Sequence, residues 1–229
     1  MNTAPDFAAV ARMPPIYWIS HRVVRAVLSL WFQWRVLHAR RVPAVGPVIL
    51  AANHASFADP PLLGCAVERT MNFLARNTLF RTPGFGWYLR QLNSVPVDRG
   101  GGGGAGLKAI LDRLHAGGCI LLFPEGTRSR DGQLQTAKSG IGLTVIKSVA
   151  PVVPIRLFGT FEAFGRRRWF PRPLPVTIKF GRPLLFTELR AEARTCSKPR
   201  LKAIYQEVAD ELMAAIGRLE PYEDVEKFP

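Results

Sequence analysis

Short apolar runs that alternate with helical segments are the feature that most constrains the fold of this chain. The runs are apolar and often β-branched, and Gly, Pro, Asn or Asp bounds each of them, which is typical of buried strands. The segments between them repeat apolar residues at the spacing of a helix face. The six runs are 47–53, 71–75, 94–98, 119–124, 152–158 and 176–180, and the helical segments are 59–68, 106–117 and 137–150. This order predicts an α/β fold with a mostly parallel central sheet flanked by helices.

The length of 229 residues suits one domain with its own core. We predict a membrane-associating helical segment over residues 1–41 and a single α/β domain over residues 42–229. Apolar residues recur every three or four positions over 201–216, which predicts a closing amphipathic helix. The acidic stretch 220–229 is expected to fray.

Residues 16–41 combine an amphipathic pattern with three Trp residues and flanking Arg residues. On a helix, Arg22, Arg25, Ser29 and Gln33 form a narrow polar stripe, and apolar side chains cover the rest. The segment never reaches the roughly 18 uninterrupted apolar residues of a spanning helix. We therefore expect an amphipathic helix that lies in the interface of an anionic membrane. The alternative is a helix that packs on the protein's own core.

The charge balance of 31 Lys and Arg against 17 Asp and Glu gives a formal charge of +14. Such a charge attracts nucleic acid, an anionic membrane or phosphorylated substrates, and the net charge alone does not distinguish among these partners. The three cysteines are far apart and form no disulfide framework, which favours a reducing, cytosolic setting. The N-terminus lacks the features of a secretory signal.

The stretch "AANHASFADPP", residues 51–61, places polar side chains where a predicted strand leaves the sheet. Asp59 precedes two prolines and is expected to be a helix N-cap one turn from His54. A carboxylate there can hold one imidazole nitrogen, fix the tautomer and leave the other nitrogen as a base. No protein nucleophile completes a triad, because Ser56 lacks a G-x-S-x-G elbow and Cys119 lies inside a strand. The alternative is a capping carboxylate beside a turn histidine without catalytic roles.

A second polar stretch, "FPEGTRSRDG" at residues 123–132, follows another predicted strand. Glycine lets the backbone approach a ligand, and Arg128 can grip phosphate oxygens with two parallel donors. Glu125 can pair with Arg128 or accept a hydrogen bond from a substrate hydroxyl. Arg99 ends a further strand, and the stretch "APVVPIRLFGTFEAF", residues 150–164, contains a proline-bracketed apolar strand that could wall an apolar ligand. The alternative is a polar surface turn. The glycine run at 100–104 lacks the Gly-Lys-Ser/Thr sequence of a P-loop.

These four stretches, in this order, resemble the glycerolipid acyltransferase family over roughly residues 40–185. The N-H-x-x-x-x-D block of that family is met by residues 53–59, and its F-P-E-G-T-R-S block is complete at 123–129. "VPVDRG" resembles the arginine block, and "VVPI" resembles the V-P-[IV] block. N-H-x-x-x-x-D alone is a loose pattern, whereas its combination with the complete second block is highly specific.

The resemblance implies a role for each matching residue. His54 would be the general base on the acceptor hydroxyl, and Asp59 would orient it. The glycerol-phosphate site would comprise Arg99, Glu125, Gly126, Thr127 and Arg128. Many members carry a basic residue after the F-P-E-G-T-R block, where this chain has Lys138. No cofactor or metal is expected, and acyl-CoA or acyl-carrier protein would be the co-substrate.

The resulting hypothesis is an O-acyltransferase that acts on a lysophospholipid, 1-acyl-glycerol-3-phosphate, at the cytoplasmic face of the cell membrane. The expected partners are the anionic membrane surface, the lysophospholipid, the acyl thioester and acyl-carrier protein, but not nucleic acid. Another lyso-lipid acceptor, such as a lyso-ornithine lipid, is an alternative within the same class. Two other classes are an acyl thioester hydrolase and a non-enzymatic basic module that docks on lipid or nucleic acid.

Overall fold

The computed structural model describes residues 12–97 and 104–224. Its strands are β1 (Trp34–Leu37), β2 (Val48–Ala52), β3 (Met71–Arg76), β4 (Ser94–Val97), β5 (Cys119–Leu122), β6 (Val152–Phe158) and β7 (Val176–Phe180). Its α-helices are α1 (Pro15–Trp31), α2 (Asp59–Ala66), α3 (Phe85–Gln91), α4 (Gly104–His115), α5 (Ser139–Lys147), α6 (Thr160–Phe164), α7 (Thr187–Glu192) and α8 (Lys198–Gly217). Two short 3-10 helices cover Ala39–Arg41 and Asn77–Arg81.

The strands form one sheet in the order β1-β7-β6-β2-β5-β3-β4. The pairs from β6 through β2, β5 and β3 to β4 are all parallel, whereas β7 runs antiparallel to β6 and parallel to β1. All six predicted strands form, and the predicted α/β fold with a mostly parallel sheet is confirmed. Every residue of β2 is buried, which is why this strand is apolar throughout instead of alternating with polar residues.

The sheet separates two apolar clusters, and the alternation of side chains along β2 supplies both of them. Val48, Leu50 and Ala52 belong to the cluster that includes residues of α1 and α2. Ile49 and Ala51 belong to the cluster that includes residues of α4, α5 and α8. The predicted closing helix is α8, and its Ile204, Val208 and Leu212 are fully buried there. Helices therefore cover both faces of the sheet.

The N-terminal helix is shorter than the sequence pattern predicted. It ends at Trp31, and the following Trp34–Leu37 form β1, which pairs with β7 in the register Trp34↔Val176. Arg41, expected on a membrane-facing helix, instead donates a 2.9 Å hydrogen bond to the carbonyl of Phe180. Pairing with β7 thus overrides the helical periodicity beyond residue 31. The division of the chain at residue 41 into two functional parts remains a prediction.

Helix α1 has one buried side and one exposed apolar side. Arg25 donates a 2.6 Å hydrogen bond to the carbonyl of Cys65, and His21 Nε2 lies 3.2 Å from the carbonyl of Val67, which ties α1 to the end of α2. The exposed side carries Ile19, Val23, Val27 and Leu30 at helical spacing, with Trp18 and Trp31 beside them. The helix packs on the core and also presents an apolar stripe to its surroundings. No helix among the residues that the structure describes is long and apolar enough to cross a bilayer.

The acidic C-terminal stretch does not fray over the residues that the structure describes. Asp224 accepts from Arg41 and lies 2.7 Å from Lys179 Nζ, a buried ammonium on β7. The lysine and the arginine hold the pKa of the Asp224 carboxyl well below its usual range. The expectation of a frayed tail overlooked this partner, because the buried lysine needs a counter-charge that only the fold brings near.

Candidate active site

The carboxyl ends of neighbouring parallel strands place two polar loops side by side. Residues 53–58 follow β2, and residues 123–137 follow β5, its direct neighbour in the register Ala51↔Leu122. Ligand sites of open α/β sheets commonly form at this edge. The two chemistry-bearing motifs of the sequence therefore meet.

His54 and Asp59 form a hydrogen-bonded pair. His54 Nδ1 lies 2.8 Å from Asp59 Oδ2, and the side chain of Asp59 is fully buried whereas that of His54 is 16% exposed. The carboxylate oxygen accepts a hydrogen bond from Nδ1–H, which makes the Nδ1–H tautomer the favoured one. Nε2 has no hydrogen-bond partner among the described residues and keeps its lone pair for a ligand. The predicted pair is brought together as expected.

Asp59 holds the turn instead of capping the helix. It is the first residue of α2, and the N-cap position belongs to Ala58, whose side chain caps nothing. Asp59 Oδ2 accepts 2.7 Å hydrogen bonds from the backbone N–H groups of Ala55 and Ser56. The prediction of an N-cap was therefore wrong, because the carboxylate turns back toward the preceding loop.

Asn53 and Ser56 fix the same loop to its neighbours. The Asn53 side chain accepts a 2.8 Å hydrogen bond from Leu157 N and donates to the carbonyl of Leu157, which joins the end of β2 to β6. Ser56 Oγ donates to the carbonyl of Phe164 and accepts from Ala58 N. Ser56 is thus fully buried and engaged in positioning, as expected for a serine that is not a nucleophile.

The second loop contacts His54 through three groups. The ring of Phe123 stacks on the imidazole with centroids 3.9 Å apart and planes inclined by 15°. Glu125 Oε1 accepts a 3.0 Å hydrogen bond from the backbone N–H of His54, and Ser129 N donates a 2.7 Å hydrogen bond to the carbonyl of His54. Position and ring orientation of His54 therefore depend on both loops.

The side chain of Glu125 is buried against the backbone of His54. Burial raises the pKa of its carboxyl from 4.5 to about 7, the hydrogen bond from His54 opposes this rise, and the nearby charge of Asp59 adds to it. Its connection to the backbone of His54 gives it a structural task that the sequence did not indicate. The assigned contact with a substrate remains a prediction.

A cleft of about 350 Å³ opens beside His54. Phe73, Val97, Ile110 and Ile141 give it apolar walls, and Arg76 and Lys138 bring positive charge to it. The cleft thus offers space for an apolar chain and cationic groups for an anion next to a candidate base.

Gly126 is the predicted glycerol-phosphate residue that lines this cleft. Its φ is +71°, a left-handed conformation that favours glycine. A Cβ at this position would lie 3.0 Å from Cδ of Lys138. Glycine therefore allows the lysine side chain to cross the loop into the cleft.

The other predicted substrate residues that the structure describes do not line this cleft. Thr127 is exposed outside the cleft lining. Arg128 is half-buried, with its guanidinium 3.4 Å from the ring centroid of Phe57. Arg99 lies outside the described residues.

Arg76 is the cleft residue that sequence reasoning missed. It is the last residue of β3, at the same edge of the sheet as His54. An arginine at the carboxyl end of a parallel strand was the available signal. Lys138, which the family resemblance only suggested, also lines the cleft.

The expectation that the stretch 150–164 walls an apolar ligand was wrong for this cleft, since none of its residues lines it. Val153 and Ile155 are fully buried in the apolar cluster that includes residues of α1 and α2, because their side chains point to that face of the sheet. Cys119 is also buried, and burial raises the pKa of its thiol to about 12, which agrees with its exclusion as a nucleophile. Within residues 12–97 and 104–224, no group of three His, Cys, Asp or Glu side chains could hold a metal ion.

Comparison with known proteins identifies similarity over most of the sheet. A family model described as Acyltransferase matches residues 33–157, which include the His54 and Glu125 loops. A 1-acyl-sn-glycerol-3-phosphate acyltransferase from Bacillus subtilis is 28% identical over 191 residues, covering 82% of this chain and 91% of that protein.

Two further proteins extend the comparison. A chloroplastic 1-acyl-sn-glycerol-3-phosphate acyltransferase from Brassica napus is 34% identical over 116 residues, which are 50% of this chain and 33% of that protein. The chain thus matches about a third of the length of this relative. The crystal structure of the 1-acyl-sn-glycerophosphate acyltransferase from Thermotoga maritima superposes with a TM-score of 0.69 at 25% identity, covering 90% of this chain and 81% of that one.

The raised pKa of Glu125 predicts a pH-dependent effect of Glu125→Gln. Between about pH 4.5 and pH 7 the folded chain binds a proton that the unfolded chain has lost, so this group lowers stability as the pH rises. Glutamine keeps an acceptor for His54 N–H but never ionises. We expect the melting temperature of Glu125→Gln, relative to the parent, to rise by a few degrees between pH 5 and pH 8.

Glu162→Gln is the control, since Glu162 is exposed on α6. Its melting temperature relative to the parent should change little with pH. A Glu125→Gln difference that stays constant from pH 5 to pH 8 would contradict an ionisation of Glu125 in this range.

Proposed function

This chain belongs to the acyltransferase family, and from that premise we propose that it transfers a fatty acyl group from an acyl thioester to the free hydroxyl of 1-acyl-glycerol-3-phosphate, giving phosphatidic acid. The observation that carries the proposal is the 2.8 Å pair of His54 and a fully buried Asp59 beside a cleft with apolar walls and two cations. The similar proteins named above are 1-acyl-sn-glycerol-3-phosphate acyltransferases, which supports the same acceptor.

The pair supplies general base catalysis. Asp59 holds Nδ1–H, so Nε2 of His54 accepts the proton of the acceptor hydroxyl while its oxygen attacks the thioester carbonyl. The new C–O bond forms, the C–S bond breaks, and the imidazolium returns the proton to the departing thiolate. Asp59 stabilises the imidazolium through the same hydrogen bond. No acyl-enzyme is needed, because the substrate hydroxyl is the nucleophile.

The charges of the cleft suit a phosphate-bearing acceptor. Arg76 and Lys138 line it, and both side chains are exposed at its surface with no ion-pair partner among the described residues. An arginine can hold phosphate oxygens with two directed donors, and a lysine adds a point charge. The phosphate roles that the family resemblance implies for Arg99 and Arg128 remain predictions, and Arg128 would contact the phosphate from outside the cleft lining, where its guanidinium stacks on Phe57. The apolar walls formed by Phe73, Val97 and Ile141 suit a fatty acyl chain.

The donor and the location are part of the same proposal. The donor is acyl-CoA or acyl-carrier protein, and no metal or other cofactor takes part. The chain works at the cytoplasmic face of the cell membrane, where the exposed apolar stripe of α1 lies in the interface and the charge of +14 attracts anionic lipid. Nucleic acid is not a partner.

Release of free thiol tests the proposed reaction. With an acyl thioester, either acyl-CoA or acyl-carrier protein, we expect rapid thiol release only when 1-acyl-glycerol-3-phosphate is added, together with formation of phosphatidic acid. Equal release without an acceptor would identify a hydrolase. Stimulation by lyso-ornithine lipid alone would identify that acceptor instead, and no release with any acceptor or donor would contradict an enzymatic role.

The catalytic pair predicts non-additive mutational effects. His54→Ala should remove nearly all turnover, and Asp59→Asn should lower kcat on the order of 10²-fold or more through loss of the tautomer. Because Asp59 acts through His54, adding Asp59→Asn to His54→Ala should cost little further activity.

Suitable controls are His115→Ala and Asp112→Asn, which change exposed residues of α4. Their kcat should remain near that of the parent. If the losses from His54→Ala and Asp59→Asn multiplied in the folded double variant, Asp59 would have a role independent of His54.

A further inference from the structure

The loop after α6 exposes two aromatic side chains next to each other. Trp169 is 92% exposed and Phe170 is 82% exposed. Phe57, in the turn that follows His54, is half exposed, and its ring lies 5.5 Å from that of Phe164 at the base of the loop. A contiguous exposed aromatic surface of this kind is typical of an interaction site.

The same loop carries unneutralised positive charge. Arg166, Arg167 and Arg168 are consecutive, and Arg172 follows them. No Asp or Glu occurs in the sequence between Glu162 and Glu188. None of these four arginines has an ion-pair partner among residues 12–97 and 104–224. The partner of this surface is therefore expected to be anionic.

The base of the loop is fixed to the candidate active site. Ser56 Oγ donates a 2.8 Å hydrogen bond to the carbonyl of Phe164, and Ser56 also forms a β-bridge with Gly165. Arg168 N donates to the carbonyl of Gly165, and Arg172 N donates to that of Ala163, which closes the turn. Ser56 in turn donates its backbone N–H to Asp59. The backbone of this loop is thus attached to the turn that follows His54.

We propose that Phe57 and residues 166–170 form a second membrane-binding surface, here called the basic aromatic surface. Trp169 and Phe170 enter the interface of an anionic bilayer, and the three arginines contact lipid phosphates. An open recess of about 480 Å³ between Phe57, Phe164 and the arginines gives a headgroup room to approach. Aromatic residues beside Arg suit the boundary between headgroups and acyl chains better than the surface of an acidic protein.

This surface and α1 lie near opposite ends of α2. Helix α1 contacts the carbonyls of Cys65 and Val67 at the end of α2, whereas the basic aromatic surface adjoins the turn before Asp59. Two contacts would restrain the rotation of the chain on the bilayer more than α1 alone. The inference goes beyond the proposed reaction, and its test needs no substrate.

The test is the partition coefficient of the full chain between buffer and lipid vesicles, measured by lipid titration. We compare vesicles of phosphatidylcholine with vesicles that also contain phosphatidylglycerol. The variant Arg166→Gln/Arg167→Gln/Arg168→Gln should bind anionic vesicles roughly 100-fold more weakly at low salt, at about fivefold per arginine. The variant Trp169→Ala/Phe170→Ala should bind both kinds of vesicle on the order of tenfold more weakly.

Matched controls remove the same number of groups elsewhere. Arg194→Gln/Lys198→Gln/Lys202→Gln removes three exposed charges, one between α7 and α8 and two on α8, and Val149→Ala/Tyr222→Ala removes exposed apolar area. Both should bind more tightly than the loop variants. Folding of each variant is checked by its melting temperature.

Three results would overturn the proposal. Equal partition coefficients for the loop variants and their controls would assign binding to overall charge or to α1. An effect of the arginine variant without an effect of Trp169→Ala/Phe170→Ala would exclude insertion. Retained vesicle binding with loss of binding to an acyl-carrier protein would identify an acidic protein as the partner.

Discussion

The carboxylate of Asp59 accepts hydrogen bonds from the side chain of His54 and from two backbone N–H groups, and the geometry of the site depends on them. One oxygen, Oδ2, takes all three bonds at 2.7–2.8 Å. Because the carboxylate is fully buried, these donors replace water, and the turn between the two residues closes around it. The same oxygen therefore shapes the loop and selects the imidazole tautomer. Because Asp59 follows His54 by five residues, a single turn brings its carboxylate to both the imidazole and the backbone N–H groups.

The second constraint is the order of strands in the sheet. Since β5 pairs with β2, the loop after β5 can accept the N–H of His54 through Glu125 and donate to its carbonyl through Ser129. His54 is thus held by its side chain from one loop and by its backbone from another. The strand β3 on the other side of β5 then brings Arg76 to the cleft. The loop after β2 therefore carries the base His54, the loop after β5 supports it, and β3 ends in the cation Arg76. The apolar walls of the cleft come largely from the surrounding helices and strand ends.

The sequence predicted the parts of this arrangement that depend on local pattern. All six apolar runs formed strands, because fully buried strands need continuous apolar side chains. The proximity of His54 and Asp59 followed from their short separation along the chain. The family resemblance added the match between the two loops, which no local pattern could provide.

Features that depend on distant partners were missed. β1 forms because its backbone pairs with β7, although the residues of β1 continue the helical pattern of α1. Asp59 turns toward the backbone of Ala55 and Ser56 instead of capping α2, and Glu125 turns toward His54 instead of the cleft surface. In each case the deciding group lies in another segment or across a turn, where residue spacing carries no signal. Arg76 was missed because a single arginine at a strand end is common on protein surfaces.

The tautomer of His54 tests the central claim most directly, because catalysis by Nε2 requires the proton of the neutral ring to lie on Nδ1. The measurement is ¹⁵N NMR of the imidazole of His54 in the full chain at a pH where the ring is neutral, with His54→Ala used to assign the signals. The Asp59 hydrogen bond predicts a protonated Nδ1 and an unprotonated Nε2, and Asp59→Asn should reverse or mix these states. A neutral ring in the parent with its proton on Nε2 would contradict the role of His54 as the base.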